Sequence, residues 1–294
     1  MTARITEQMI THLKSGDFRA ASNLFITGQK QGIFPSDHTL TSKLVKEIGE
    51  NATEKLIIAF SHYPCQFCMK GRSKCKDCEG HGHINHNIVC EQCLGLGSVR
   101  CDFCNGSGWM AIEDIPDGLR STVLLTRART ALARIKSVLA KPVPQPSENK
   151  PSTTLKECAQ VVMYLDRYMG VLENMVVASE KMNIPEGNYK NKINKIHQRC
   201  VEAAIKGKKR MREVIRCMAD SARLEAKLSD GDSPGQKLAK KRTEFYKSLT
   251  DRTGIFASSK DEHPFLEKAI KNYVSKKHQI SHSNQHDRQN ESGK

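Results

Sequence analysis

The sequence predicts a mainly α protein: a helical N-terminal region, a small β-hairpin module in the middle, a helical hairpin beyond it, and a polar, disordered basic tail. Three observations carry this reading. Apolar residues recur at steps of three and four on both sides of the middle segment. Eight of the 11 cysteines fall between Cys65 and Cys104, all in Cys-x-x-Cys pairs. Only 38% of the 294 residues are hydrophobic and 5% aromatic, so the core is modest and divided.

Residues 1–60 read as helices. Ile5, Met9, Ile10 and Leu13 share one helical face. Phe18, Ala21, Leu24, Phe25 and Gly28 continue the spacing after Gly16 and Asp17, and Leu44, Val45, Ile48, Leu56, Ile57 and Phe60 supply a third stripe. The stretch GDFRAASNLFITG resembles the second half of a tetratricopeptide repeat through Gly16, Ala21, Phe25 and Gly28. A repeat fold, however, needs about three units to bury its faces, so a small helical bundle is the plainer expectation. Residues 61–110 hold the cysteine pairs. IPDG (Ile115 to Gly118) makes a turn, and 111–140 carries a helix from Leu119 to Ala140. The stretch KPVPQPSENKPS holds four of the ten prolines and reads as a stiff, exposed linker over 141–152.

Beyond it, Leu155, Cys158, Val162, Leu165, Met169, Leu172 and Val176 alternate steps of three and four, the seam of a coiled-coil-like helix. NIPEGN (Asn183 to Asn188) interrupts helix formation. Ile193, Ile196, Cys200, Ala204, Met211, Ile215, Met218 and Ala222 then mark a second long helix. Two long amphipathic helices with a short connection predict an antiparallel hairpin over 153–229, with Cys158 and Cys200 as buried small hydrophobes. Weaker helices are expected over 230–275 and a disordered tail over 276–294.

The pairs read CQFCMKGR from Cys65, CKDCEGHG from Cys75, CEQCLGLG from Cys90 and CDFCNGSG from Cys101, the last three matching Cys-x-x-Cys-x-Gly-x-Gly. Two thiolates separated by two residues reach one metal ion from a tight turn, and two such turns complete a tetrahedral four-sulfur shell around zinc. The glycines admit positive φ and let backbone N–H groups face the sulfurs. Eight ligands suit two closed Zn²⁺ sites. Six residues separate Cys68 from Cys75 and seven separate Cys93 from Cys101, near-equal arms that can lie antiparallel. Nested pairing then groups Cys75, Cys78, Cys90 and Cys93 as an inner site and Cys65, Cys68, Cys101 and Cys104 as an outer one. Sequential pairing supplies the same ligand count but gives the matched arms no purpose.

These repeats resemble the cysteine-rich zinc domain of DnaJ-type co-chaperones, in which four repeats form two zinc sites on an extended β-hairpin. The resemblance implies pairing of repeat one with four and two with three, and binding of partly folded or assembling polypeptides. It spans about 45 residues and departs from the family in two ways. Met69, Lys70 and Gly71 replace x-Gly-x in the first repeat. No His-Pro-Asp tripeptide occurs, since the only His-Pro, His263-Pro264, is followed by Phe265; the family's signature for stimulating an Hsp70-type ATPase is therefore missing. The pairs are also similar to those of phage late antiterminators, a nucleic-acid-directed class. Catalytic dithiol exchange is the third reading, but it needs one pair at a helix start rather than four in glycine turns. His81, His83 and His86 are expected as solvated residues at the hairpin tip, and Trp109 as packing at its base.

The chain carries 47 basic and 32 acidic residues, a formal charge of +15 that two Zn²⁺ and eight thiolates lower to about +11. Residues 190–227 hold 12 basic and four acidic side chains, including KGKKRMR at Lys206 to Arg212. Such a face either binds nucleic acid through phosphates or is simply solvated, and it lacks interleaved aromatics for base stacking. No apolar run approaches the ~20 residues that cross a bilayer, and the N-terminus has no secretory pattern, so a cytoplasmic protein without membrane contact is expected. No P-loop or Gly-x-Ser-x-Gly elbow is present. The sequence therefore predicts a non-enzymatic zinc protein with protein clients or a chaperone complex as partners, and nucleic acid through Lys190 to Lys227 as the alternative.

Overall fold

A computed structural model describes residues 2–34, 40–85, 88–93, 95–115, 117–181, 188–229, 231, 233–251, 263–266 and 268–275. The expected break at NIPEGN (apart from Asn188), the tail from Lys276 and His86 lie outside the described residues. Helices α1 (Thr2–Ser15), α2 (Phe18–Lys30), α3 (Leu40–Ile48) and α4 (Glu50–Ser61) precede the strands β1 (Arg72–Lys74), β2 (His83–Ile84), β3 (Ile88–Val89) and β4 (Ser98–Arg100). Helices α5 (Asp117–Leu139), α6 (Pro151–Lys181), α7 (Asn188–Leu228) and α8 (Pro234–Asp251) follow, and residues 264–266 and 268–275 are also helical. The protein is thus mainly α, with a small strand module between helical regions.

The chain divides into two compact units, Met1–Ser73 with Arg100–Ala131, and Lys74–Val99 with Leu132–Lys294. In the first unit, Asp17 caps α2 by accepting the Ala20 N–H at 3.1 Å, and the helices close over Met9, Leu13, Phe25, Leu44, Leu56 and Phe60. Phe25 stacks on Phe34 at 5.1 Å and meets Phe60 edge-on at 5.3 Å. Phe18 and Val45 remain 39% exposed: Phe18 opens α2, and Val45 lies one step off the buried Leu40–Leu44–Ile48 stripe of α3.

In the second unit, α6 and α7 run antiparallel. Cys158 Sγ lies 3.4 Å from Cys217 Sγ, while Ser179 Oγ, further along α6, is 3.0 Å from His197 Nδ1, earlier in α7. The expected seam residues from Cys158 to Val176 and from Ile193 to Ala222 are buried, with only Leu155 partly open. The Pro-rich stretch does not stand free. Prolines lack N–H donors but keep their carbonyls, and α7 uses those of this stretch. The Arg210 guanidinium donates to Lys141 O at 2.6 Å and Leu139 O at 3.1 Å, and Cys217 Sγ donates to Pro144 O at 2.9 Å. Helix α8 is a core element: Ala239, Tyr246 and Leu249 are buried, and Gly95 is the close neighbour of the Tyr246 hydroxyl.

A polar cluster locks residue 263 to α6. Asp166 and Glu173 sit two turns apart on one helical face, 2% and 1% exposed, and His263 (2% exposed) lies between them. Its Nδ1 is 2.6 Å from Glu173 Oε2 and its Nε2 is 3.3 Å from Asp166 Oδ1, while the Phe265 N–H donates to Glu173 Oε1 at 3.1 Å. A doubly protonated ring donates to both carboxylates at once, whereas a neutral ring completes the set only if one carboxyl carries the proton. Removing one member of a buried ionic set leaves uncompensated charge. Accordingly, His263→Leu is expected to lower stability in urea denaturation by about 3–5 kcal/mol. The triple change with Asp166→Leu and Glu173→Leu should recover much of that loss. Wild-type stability in the single variant would contradict this account.

Candidate metal centres

Each Cys-x-x-Cys pair opens a tight turn, and the turns clasp one another two by two. Cys75 N–H donates to Gly97 O and Cys90 N–H to Gly82 O, both at 3.0 Å, joining the second and third repeats reciprocally. Cys65 N–H donates to Gly108 O at 3.1 Å and Cys101 N–H to Gly71 O at 2.9 Å, joining the first and fourth. These four backbone bonds fix the grouping before any sulfur is considered. β1 and β4 are neighbours in a two-stranded sheet. At the far end β2 and β3 pair antiparallel, His83 with Val89 and Ile84 with Ile88.

The sulfurs follow the clasps. Those of Cys65, Cys68, Cys101 and Cys104 lie within 4.8 Å of one another, as do those of Cys75, Cys78, Cys90 and Cys93. The first group belongs wholly to the first unit and the second wholly to the other. Cys68–Cys104, Cys78–Cys93 and Cys75–Cys90 sulfur separations are 3.6, 3.6 and 3.8 Å. A tetrahedral ion with metal–sulfur bonds of about 2.3 Å requires edges of about 3.8 Å, so the groups fit such an ion. Gly82, Gly97 and Gly108 each donate a backbone N–H at 3.2 Å to the second sulfur of their own pair, Cys78, Cys93 and Cys104. Burial pushes the Cys104 thiol up to about 11 against the pull of the Gly108 N–H. Burial also raises the Cys68 and Cys93 thiols, with neighbouring sulfurs adding to it. Crowded buried thiols of this kind ionise together only around a cation, which is the chemistry of a metal site.

The first repeat reaches the same clasp by a different turn. Lys70 and Gly71 take φ of +53° and +91°, whereas the fourth repeat uses Asn105 and Gly106, one position nearer its second cysteine. Met69 and Arg72 exchange reciprocal backbone bonds at 3.0 and 3.1 Å around Lys70 and Gly71, the pattern of a two-residue primed turn. Gly71 is indispensable there, because an added Cβ would collide with the carbonyl oxygen of Gly106 in the partner turn. The missing Gly-x-Gly spacing is thus replaced by a one-residue shift that keeps a glycine at the contact.

Two features beside the first group come from outside its turns. Trp109 is 5% exposed, bridges to Pro64 and meets His62 edge-on at 5.0 Å. Arg127 of α5, 3% exposed, lies 5.7 Å from the Trp109 ring centre and donates to Ser61 O at 2.8 Å and Phe60 O at 3.3 Å, closing the C-terminus of α4. Burial lowers its guanidinium to about 10, with Cys104 and Glu113 pulling the other way. It therefore remains a cation at neutral pH, placed to offset thiolate charge. Sequence reading passed over Arg127, which carries no local motif.

Phe67 and Phe103 were also passed over. Each occupies the second variable position of its pair, CQFC and CDFC, and the rings stack at 4.2 Å and 22° while staying 64% and 66% exposed. Met69 beside them is 81% exposed. The matching positions in the other group are Asp77 and Gln92, so the contrast was readable in the sequence. His81 and His83 stand 6.2 Å apart and join neither sulfur group among the described residues. No helix of the described residues is long and apolar enough to cross a membrane. No family model, curated protein or solved structure matches the chain.

Gly71→Ala is expected to release metal from the Cys65 group to a competing chelator at least about tenfold faster, as losses of supporting contacts around ligands do. Release from the Cys75 group should be unchanged. Two unaltered release phases would refute the role given to Gly71.

Proposed function

We propose that the protein is a non-enzymatic, DnaJ-like zinc factor that binds partly folded or assembling polypeptides through its cysteine-rich hairpin. Cys65, Cys68, Cys101 and Cys104 would hold one Zn²⁺, and Cys75, Cys78, Cys90 and Cys93 a second. Zinc, when bound, contributes four metal–sulfur bonds per site, with no redox chemistry of its own and no open position for water. Seven of the eight cysteines are buried and Cys68 is half-buried, which supports a structural role over dithiol exchange, a reaction that requires an accessible thiolate.

The observation that carries the binding function is the exposed Phe67–Phe103 pair with Met69. Exposed stacked rings cost hydration free energy unless a partner covers them, and the turns that present them are fixed by the clasp. Local charge favours an apolar partner. In sequence, Lys70, Arg72 and Arg100 flank the outer pairs together with Asp102, and with the net −2 that a zinc tetrathiolate would carry the formal balance is near zero, which gives little attraction for phosphate. A short stretch of apolar side chains in an unfolded polypeptide matches this patch.

Metal analysis of the purified protein is expected to give two zinc ions per chain, and of Cys90→Ser about one, with new protease sensitivity confined to residues 74–99. Two retained ions and full protease resistance in that variant would remove the site assignment. Separately, Phe67→Ser/Phe103→Ser should keep both ions yet bind a reduced, carboxymethylated model polypeptide at least about tenfold more weakly, the loss expected when two aromatic anchors go. Unchanged binding would mean that clients are held elsewhere or not at all.

A further inference from the structure

The 41-residue helix α7 has two seams. One is buried. The other starts at Lys192 and, by alternating steps of three and four, reaches Lys227 after eleven positions, of which eight are Lys or Arg and three acidic. All eight cations are exposed. At 1.5 Å per residue the row extends for about 50 Å.

A basic run on a helix is ordinarily a solvated face knit by ion pairs with acids three or four residues away. That explanation fails here, because the acids are occupied or outnumbered. Glu202 Oε1 accepts from the Tyr273 hydroxyl at 2.9 Å and from Gln198 at 3.2 Å. Glu213 pairs at 3.1 Å with Arg210, the residue that also holds the Leu139 and Lys141 carbonyls. Asp220 alone stands among the remaining cations. None of the eight cations forms a side-chain ion pair among the described residues. The stripe is also held in place, since Ile193, Cys200, Ala204, Met211 and Ile215 pin the opposite face into the core.

We propose that this face of α7 binds the phosphodiester backbone of double-stranded nucleic acid without reading sequence. A continuous row of exposed cations, winding by about 20° per heptad around the helix, suits a duplex, which presents one negative charge per ~1.7 Å of axis and releases counterions when phosphates are neutralised. About 50 Å spans some 15 base pairs at ~3.4 Å per step. No aromatic side chain belongs to the row, so it offers no stacking platform for single strands. The site uses none of the residues of the Phe67–Phe103 patch and is independent of polypeptide binding there.

The test measures binding of the zinc-loaded full chain to fluorescein-labelled 24-base-pair duplex RNA and duplex DNA of arbitrary sequence between 50 and 200 mM salt. Wild type is compared with Lys195→Glu/Arg199→Glu/Lys206→Glu/Lys209→Glu and with a control carrying the same charge change elsewhere, Lys14→Glu/Arg19→Glu/Lys30→Glu/Lys46→Glu. All eight substituted side chains are exposed, so both variants should fold, and circular dichroism checks this. The stripe variant is expected to lose at least about 100-fold in affinity, with its log–log salt slope smaller by roughly three to four, while the control stays within a few-fold of wild type. Retention of either duplex by wild type with these differences supports the proposal, and the RNA and DNA arms show which backbone is preferred. A flat salt dependence, equal loss in both variants, or displacement of the duplex by an equal charge of polyglutamate would overturn it, the last pointing to an acidic protein instead.

Discussion

The reciprocal clasp between cysteine turns is the constraint on which the middle of this protein depends. Among the described residues of 65–104 little else forms a core: Val89 is buried, and the two clusters there consist of cysteines, with Val99 packed against one of them. Strands of two and three residues cannot stand alone in water. Four backbone bonds and eight sulfurs therefore take the place that apolar side chains take elsewhere, and a cation shared by four thiolates would add the cohesion. Every other feature of the segment serves that clasp. Glycine at 71, 82 and 97 allows two backbones to approach where a Cβ would collide with a carbonyl or its carbon. Arg127 brings a buried positive charge near the sulfur of Cys104.

Within this shared scheme the two groups have diverged in what they present. The variable positions of CKDC and CEQC hold charged and amide side chains suited to solvent, whereas CQFC and CDFC each place a phenylalanine outward. The stack at 4.2 Å forms only because the first and fourth repeats are clasped, which brings residues 36 apart in sequence into ring contact. The patch is thus tied to the clasp of the first and fourth repeats, and a metal ion held by the Cys65 group would fasten both.

What the sequence made legible was periodic or repeated. The seams from Cys158 to Val176 and from Ile193 to Ala222 are buried as their spacing requires, and near-equal arms on either side of Cys75 and Cys93 point to the grouping of the eight cysteines. What it hid depends on partners distant in the chain. The carbonyls of Leu139, Lys141 and Pro144 become acceptors only because Arg210 and Cys217 arrive on α7 some 70 residues later. The imidazole of His263 gains its purpose from Asp166 and Glu173, about 90 positions earlier. In α8, Tyr246 looks like one aromatic in a lysine-rich helix until it is seen buried with its hydroxyl beside Gly95. Local pattern reports which face of an element is apolar, and it is silent on which distant polar group will meet a carbonyl or a carboxylate.

Helix α7 shows how one helix can carry two rows. The apolar set recurs close to the 3.6-residue helical period and stays on one side, while the residues from Lys192 to Lys227 alternate steps of three and four and form a second continuous row. Natural helices commonly fill that second row with mixed charge, because alternating signs stabilise the helix and keep it soluble. Here the stabilisation of α7 comes from its buried seam, so the outer row is free of that duty. Two of its three acids are turned to neighbours, Glu202 to Tyr273 and Glu213 to Arg210, leaving the cations to face solvent. Mutual repulsion along eight such charges is a standing cost, tolerable because the core fixes the helix and relieved whenever a polyanion lies along it. The same packing that buries one side of α7 holds its charged row continuous, and a continuous row of one sign is what would separate a phosphate track from a scatter of surface lysines.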